Sequence, residues 1–181
     1  MKLQKSWQPY DAGFAGGVKV AAGDLNNDGV AEIVSVPGSG APAQVKEFNA
    51  KGQMLKQFLA YDKNLKGGWQ VAVASAYSSF KKIQRIVIAS VKDSSPNINI
   101  FDGQGNLQNT FAPFGSNFKL GMNVAAADLN NDAQAELIIG AGEGGAPHLL
   151  LYKLDGRLIK AYYSDDKALR RGVNVAALIK N

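Results

Sequence analysis

The sequence contains no cysteine, a single histidine and no long hydrophobic run. Without cysteine there are no disulfides and no thiol chemistry, and the redox compartment stays undetermined. The lone His148 has no accompanying nucleophile–base pair or phosphate-binding loop, so the sequence predicts a protein that is not an enzyme. No stretch approaches the roughly 20 apolar residues of a membrane-spanning helix, so no membrane span is expected.

Acidic residues are also scarce over most of the chain. The net charge is +5, and six of the fifteen acids lie in two short loops, which leaves nine acids against twenty basic residues elsewhere. Such a surface can attract polyanions, including acidic glycans, although a solvated, solubilising face is the commoner role. No nucleic-acid-binding motif is present, so nucleic acid is not an expected partner.

The sequence repeats with a period of about fifty residues. A glycine followed by an alternating apolar segment occurs four times, with spacings of 51, 53 and 51 residues. An aromatic residue lies ten positions before each of these glycines. The glycines are Gly17, Gly68, Gly121 and Gly172, and the aromatic residues are Trp7, Phe58, Phe111 and Tyr162. This regularity indicates an array of equivalent structural units.

Each period contains four short segments of strand-like composition. In the first period they are residues 18–22, 33–36, 44–48 and 54–58, separated by turn residues. Four short strands per repeat, the first rich in small residues, are typical of a β-propeller blade. The sequence therefore predicts an all-β fold in one domain, 1–181, although a β-sandwich is an alternative. We expect blades at 17–67, 68–120 and 121–171, and a partial fourth repeat at 172–181 that supplies an extra inner strand.

Three blades are fewer than the four to eight of closed propellers. An open array also leaves strand edges that invite pairing with another chain. Three explanations follow from the sequence. The chain is part of a larger propeller, it forms a closed ring with copies of itself as a homodimer or larger oligomer, or it is a short open array.

Two of the inner segments are followed by an acidic loop, Asp24 to Glu32 in the first repeat and Asp128 to Glu136 in the third. Oxygen-bearing side chains at positions 1, 3, 5 and 9 of a tight loop can converge on Ca²⁺. A simple hairpin turn is the alternative. An EF-hand needs an acid at position 12, where this sequence has Ser35. The middle repeat has no carboxylate from Ser75 to Lys82, so the acids are not needed merely to turn the chain.

The run from Phe14 to Val34 and the segment Gly140 to His148 resemble FG-GAP repeats, the units of the integrin alpha-subunit β-propeller. The resemblance extends over essentially the whole chain. It implies calcium in loops between the first and second strands of a blade. It also implies adhesion or extracellular recognition of a protein or glycan ligand. The chain begins without a secretory signal peptide, but the resemblance favours a location outside the cell or at its surface.

The same resemblance implies two sets of calcium ligands. The first comprises the side chains of Asp24, Asn26, Asp28 and Glu32 and the backbone carbonyl of Val30. The second comprises the side chains of Asp128, Asn130, Asp132 and Glu136 and the backbone carbonyl of Gln134. Asparagine at position 3 lowers the ligand charge in both loops. Ala133 replaces the glycine that eases the turn, so we expect the second site to be weaker.

A carbohydrate-binding, lectin-like propeller is the alternative function. Propeller lectins hold sugars against aromatic side chains in pockets between blades. Trp69 and Tyr77 depart from the pattern of the repeats. They are therefore the candidates for contact with such a ligand.

Overall fold

The computed structural model of the chain describes residues 5–78 and 81–177. Its regular structure consists of strands β1 (Val18–Gly23), β2 (Glu32–Pro37), β3 (Gln44–Phe48), β4 (Met54–Leu59), β5 (Trp69–Ser78), β6 (Lys81–Ser90), β7 (Ile98–Asp102), β8 (Leu107–Phe111), β9 (Met122–Ala127), β10 (Glu136–Ala141), β11 (His148–Tyr152) and β12 (Leu158–Tyr163). Within these ranges no helix is long and apolar enough to cross a membrane.

The twelve strands form three four-stranded antiparallel sheets. The strand orders are β1-β2-β3-β4, β5-β6-β7-β8 and β9-β10-β11-β12, and we call these sheet 1, sheet 2 and sheet 3. Each strand therefore pairs with its neighbours in sequence, as short turns between antiparallel strands require. The predicted all-β class is confirmed, and each of the first three repeats forms one four-stranded sheet.

Sheet 2 lies between the other two sheets, and its first three strands carry buried residues on both faces. Along β6, Ile86 and Ile88 belong to a core shared with sheet 1, and Val87 and Ala89 belong to a core shared with sheet 3. The unbroken apolar run at the end of β6 follows from this position, because a strand covered on both sides needs apolar residues at every position.

The sheets contact one another in an equivalent way along the chain. The first strands are neighbours, with β1 against β5 and β5 against β9. The backbone N–H of Gly40 donates to the carbonyl of Lys66, and that of Asp93 donates to Lys119, each at 2.9 Å. A third bond of the same kind, from Gly144 to Arg170 at 3.1 Å, joins sheet 3 to the segment just before the fourth repeat.

The fourth repeat, predicted at 172–181 to supply an extra inner strand, is described only as far as residue 177, and 178–181 lie outside the described part of the structure. Residues 172–177 are described but form no regular strand. They are held to sheet 3 by bonds such as that from the Val173 N–H to the Ala141 carbonyl at 2.8 Å. The physical reason is pairing: a strand needs a ladder of hydrogen bonds, and the second strand that pairs with each of β1, β5 and β9 has no counterpart among the described residues here.

The periodic aromatic residues connect neighbouring repeats. Phe58 of β4 packs on Phe101 of β7 with ring centroids 4.9 Å apart, and Phe111 of β8 packs on Tyr152 of β11 at 5.0 Å. Trp7 packs on Phe48 of β3 in the same manner at 5.9 Å. Tyr162, the fourth of the series, lies on β12 of the last sheet and is 41% exposed.

Candidate functional site

The two acidic loops occupy equivalent places in sheets 1 and 3. Residues 24–32 connect β1 to β2 and residues 128–136 connect β9 to β10; we call them loop 1 and loop 2. The flanking registers also match, because Gly23 pairs with Glu32 and Ala127 pairs with Glu136. Each repeat that carries the motif therefore presents it at the same end of its sheet.

Side-chain oxygens fold loop 1 by accepting backbone hydrogen bonds. The Asp24 carboxylate accepts the N–H groups of Asp28 and Gly29, each at 3.0 Å. The Asn26 amide oxygen accepts the Asp28 N–H, and the Asp28 carboxylate accepts the Val30 N–H, each at 2.8 Å. Asp and Asn favour such local turns because their short side chains reach their own backbone two residues on. The acids thus shape the loop as well as charging it.

Glu32, the last residue of loop 1, is hydrogen-bonded to residues at the start of the same loop. Its side chain is buried, and one carboxylate oxygen accepts the backbone N–H of Leu25 at 2.8 Å. The Asn26 amide nitrogen donates to the other Glu32 oxygen at 3.2 Å and to the Asp28 carboxylate at 3.0 Å. Two negative groups therefore converge on one donor nitrogen in the middle of the loop.

Loop 2 repeats this network bond for bond. The Asp128 carboxylate accepts from Asp132 and Ala133 at 3.2 and 2.8 Å. Glu136 accepts the Leu129 N–H at 2.9 Å. The Asn130 amide donates to Asp132 and Glu136 at 3.2 and 3.0 Å. The Asn130 oxygen and the Asp132 carboxylate accept from Asp132 and Gln134, each at 2.8 Å. Two separate stretches of sequence thus build the same constellation.

In the middle repeat, longer first and second strands stand in place of the acidic loop. There β5 and β6 are ten residues long, and they pair as far as Ser78 with Lys81. At the register of Glu32 and Glu136, where Ala74 pairs across the sheet, sheet 2 has Arg85. A guanidinium cannot accept a backbone N–H as the two glutamates do. The loss of the acids therefore goes with a longer hairpin.

The donor set of each loop suits a hard cation, but the side chains are not gathered around one point. Among residues 5–78 and 81–177, no group of three or more His, Cys, Asp and Glu side chains is placed so that it could hold a metal ion. The reason is visible in loop 1, where Asp24 faces backbone amides and the Asn26 nitrogen lies between Asp28 and Glu32.

Trp69, predicted to contact a ligand, is placed differently by the structure. Its side chain is 0% exposed, its indole N–H donates to the Ala41 carbonyl at 3.0 Å, and its ring stacks on Tyr61 at 4.7 Å. Trp69 fills the core between sheets 1 and 2, which accounts for its departure from the repeat pattern. The prediction that Trp69 contacts a ligand is therefore corrected, because its side chain is packed in this core and is not accessible. The side chain of Tyr77 lies outside the described part of the structure.

His148 stands among aromatic side chains at the start of β11. Its ring stacks on Tyr163 at 4.5 Å and meets the edge of Phe114 at 5.5 Å. Burial lowers the pKa of His148, and the nearby Lys167 ammonium lowers it further. These contacts fit a packing role.

Glu47 was not identified from the sequence. It is buried on β3, its Oε2 atom has no hydrogen-bond partner among the described residues, and the Lys56 amine lies 4.0 Å away. Burial raises the pKa of this carboxyl, Lys56 opposes the rise, and the charge of Glu32 adds to it. The sequence contained one signal for Glu47: it is an acid at the position where the equivalent strands β7 and β11 carry the apolar residues Ile100 and Leu151.

Comparison with known proteins yields a likeness of fold. No family model matches the sequence, and no curated protein matches it. Among solved structures, the exotype rhamnogalacturonan lyase YesX is similar over 78% of this chain, with a TM-score of 0.55 and 13% identity. The rhamnogalacturonan lyase YesW is similar over 83%, with a TM-score of 0.56 and 16% identity. The chain spans about a third of those structures, 32% and 34% of their lengths.

Proposed function

We propose that this protein is a non-catalytic, calcium-binding module of the FG-GAP type that serves recognition or adhesion outside the cell or at its surface. The observation that carries this proposal is the duplication of one hydrogen-bond network in loops 1 and 2. Seven bonds of loop 1 recur at the same relative positions in loop 2. A turn alone does not require a buried glutamate at its ninth position.

The packing of the sheets supports blades of a propeller. The first strand of each sheet lies against the first strand of the next, as strands around a common axis do. Residues 170–177 continue this series on the far side of sheet 3. A sandwich has two sheets facing each other across one core, whereas sheet 2 has a separate core on each face.

In this proposal calcium stabilises the loops and does no chemistry. It would be held by the carboxylates of Asp24, Asp28 and Glu32, the Asn26 oxygen and the Val30 carbonyl in loop 1, and by the corresponding groups in loop 2. Binding must displace the asparagine nitrogen from between two carboxylates. We therefore expect dissociation constants of about 10⁻⁴–10⁻³ M, the range of extracellular modules.

Replacing Asn26 with aspartate tests the calcium proposal directly. Asn26→Asp removes the donor that holds Asp28 and Glu32 together and places a third negative group beside them. We expect a lower melting temperature in chelator and a larger rise in calcium. At about 10 mM Ca²⁺ the wild-type rise should be about 3 °C, and that of the variant about twice as large. Thermal unfolding in calcium and in chelator measures both.

Asn49→Asp is the matched control. Asn49 caps a turn by accepting the N–H groups of Lys51 and Gln53 at 2.9 and 3.0 Å, which aspartate can also do, and the equivalent turn of sheet 2 carries Asp102. This variant adds the same charge in a turn that supplies no proposed calcium ligand, although it lies at the loop 1 end of sheet 1, so its response to calcium should stay closer to that of the wild type than to that of Asn26→Asp. A wild type and Asn26→Asp that are both indifferent to calcium would refute the metal role.

A second copy of the chain is the partner that the faces of the array suggest. On the face of β1 turned away from sheet 2, Val20 is 65% exposed, while its counterpart Val71 on β5 is 9% exposed. This face of β1 therefore exposes an apolar residue at a position that is buried in sheet 2. We propose that copies associate through this face, as a homodimer or a larger ring.

Carbohydrate binding remains the second candidate function, with a glycan rather than a protein as the ligand. The two structures of similar fold are named as lyases of rhamnogalacturonan, which supports a carbohydrate-related role without specifying one. A glycan array probed with the intact chain tests it. Binding to a defined class of glycan would favour this candidate over protein recognition, and an array without hits would remove it.

A further inference from the structure

A polar cleft lies between sheets 2 and 3, apart from the buried cores. Its volume is about 530 Å³. Four charged side chains line it, and three of them are basic: Arg85 of β6, Lys153 and Arg157 of the turn between β11 and β12, and Asp155 of the same turn. The cleft therefore has an excess of positive charge.

The sign of this charge is reversed relative to the first interface. Arg85 occupies the register that holds Glu32 in sheet 1, since Ala74 pairs with Arg85 as Gly23 pairs with Glu32. Lys153 begins its turn as Asp102 does one repeat earlier. The Lys153 N–H donates to Arg157 at 2.9 Å, and the Asp102 N–H donates to Asn106 at 3.0 Å. Two acidic positions of the first interface are thus basic at the second.

The basic groups differ in how far they are already neutralised. Arg157 donates to Asp155 through two guanidinium nitrogens, each at 2.7 Å, so these two charges satisfy each other. Arg85 is half-buried, its described hydrogen bond is a long one, 3.5 Å, to the carbonyl of Gln84, and its nearest acid is Asp102, its pairing partner on β7, whose pKa its charge helps to lower. A guanidinium has five N–H donors in a fork that matches a carboxylate. Arg85 therefore has donors available to a ligand inside the cleft.

The remaining walls favour a sugar over a nucleic acid base. Ile83 and Ile100 give the cleft an aliphatic surface, and the amides of Gln108, Asn109 and Gln134 also line it. Gln108 already donates to Asp102 and to the Asn106 carbonyl at 3.0 and 3.2 Å, and Asn109 donates to the Leu154 carbonyl at 3.1 Å, which leaves the amide of Gln134 and the second N–H of Asn109 for a ligand. Amides can both donate to and accept from hydroxyl groups. No aromatic side chain is among the described residues that line the cleft, and stacking on such rings is the usual means of holding an unpaired base.

We propose that this cleft binds a carboxylate-bearing saccharide, with its carboxylate on Arg85 and Lys153 and its hydroxyls on the remaining amide groups that line the cleft. The proposal does not depend on calcium in the acidic loops. Titration calorimetry in chelator, with a trimer of galacturonic acid as the probe, separates it from the calcium proposal. We expect binding of this trimer, and much weaker binding of a neutral galactose trimer.

The informative variant is Arg85→Glu, because glutamate stands at this register in the other two sheets. It should weaken binding of the acidic trimer by about tenfold or more. Arg171→Glu is the matched control: it changes the net charge equally, and Arg171 lines a different cleft with Lys92 and Glu143. This control should bind within about twofold of the wild type.

Three outcomes would overturn the proposal. They are equal binding of the acidic and neutral trimers, an Arg85→Glu variant that binds like the wild type while its circular dichroism is unchanged, and no detectable binding of the acidic trimer at millimolar concentration. A loss confined to Arg171→Glu would move the site to the other cleft and equally refute the assignment.

Discussion

At the scale of single residues, the two acidic loops differ at one backbone position. Gly29 has φ of 88° in loop 1, and Ala133 has φ of 68° at the same place in loop 2. The left-handed region is open to glycine but costs an alanine about 1–2 kcal/mol. Loop 2 therefore carries conformational strain that loop 1 avoids, and calcium binding there must proceed from a less stable loop.

Exchanging these residues tests the strain. Ala133→Gly should stabilise the protein by about 0.5–1 kcal/mol, because relief of the left-handed alanine exceeds the added freedom of glycine in the unfolded chain. Gly29→Ala should destabilise it by a similar amount, since a Cβ there meets nothing within 4 Å and the effect is purely conformational. Urea denaturation in chelator measures both, and shifts in the same direction would contradict the explanation.

At the scale of strands, neighbouring repeats are joined by the periodic aromatic residues. Phe58 on β4 lies over Phe101 and over the turn glycine Gly105, and a Cβ on Gly105 would come within 2.8 Å of the Phe58 ring. The Phe58 ring can therefore pack at this place only because residue 105 has no side chain. The spacing of these rings was visible in the sequence, but their partners on the next sheet were not.

Removing equivalent rings should have unequal effects. Phe58→Ala should cost about 2 kcal/mol, because a half-buried ring between two sheets is lost. Tyr162→Ala should cost less than about 1 kcal/mol, because Tyr162 is on the last sheet and 41% exposed. The free energies of unfolding of the two variants decide this. Equal losses would show that the ring stabilises its own sheet rather than the interface.

At the scale of the whole molecule, an apolar face of sheet 1 is exposed among the described residues. Val18 and Val20 lie on the open face of β1, whereas their counterparts on β5, Trp69 and Val71, are buried against sheet 1. The array of sheets has this patch at one end and a different face at the other. Two unlike ends favour head-to-tail contacts between copies, which close into a ring when the rotation from one copy to the next permits it.

Light scattering tests this association. The chain should elute with a mass above the 19.2 kDa of one copy. Val20→Glu should return it to a single copy by placing a charge in the contact. Leu107→Glu is the control, because Leu107 is 54% exposed on the middle sheet and lies away from that face. A wild type that stays a single copy at all concentrations would refute the proposed partner.

The repeat determined much of the local structure. The segments predicted as strands in the first repeat, 18–22, 33–36, 44–48 and 54–58, match β1 to β4 within one residue at each end, because alternating apolar residues between turns have few other conformations. The acidic loops were likewise visible, since Asp and Asn fold the backbone around themselves. These features depend on residues close together in the chain, which is the information that a sequence presents directly.

Tertiary structure decided the rest. The burial of Trp69, the amide nitrogen of Asn26 between two carboxylates, and the absence of strand structure at 172–177 each depend on a partner distant in sequence or on the lack of one. The basic cleft joins Arg85 to Lys153, which are separated by more than a repeat but lie on adjoining sheets. Their charges can act on one ligand only when packing brings the two side chains to the same surface, because electrostatic interaction depends on distance in space.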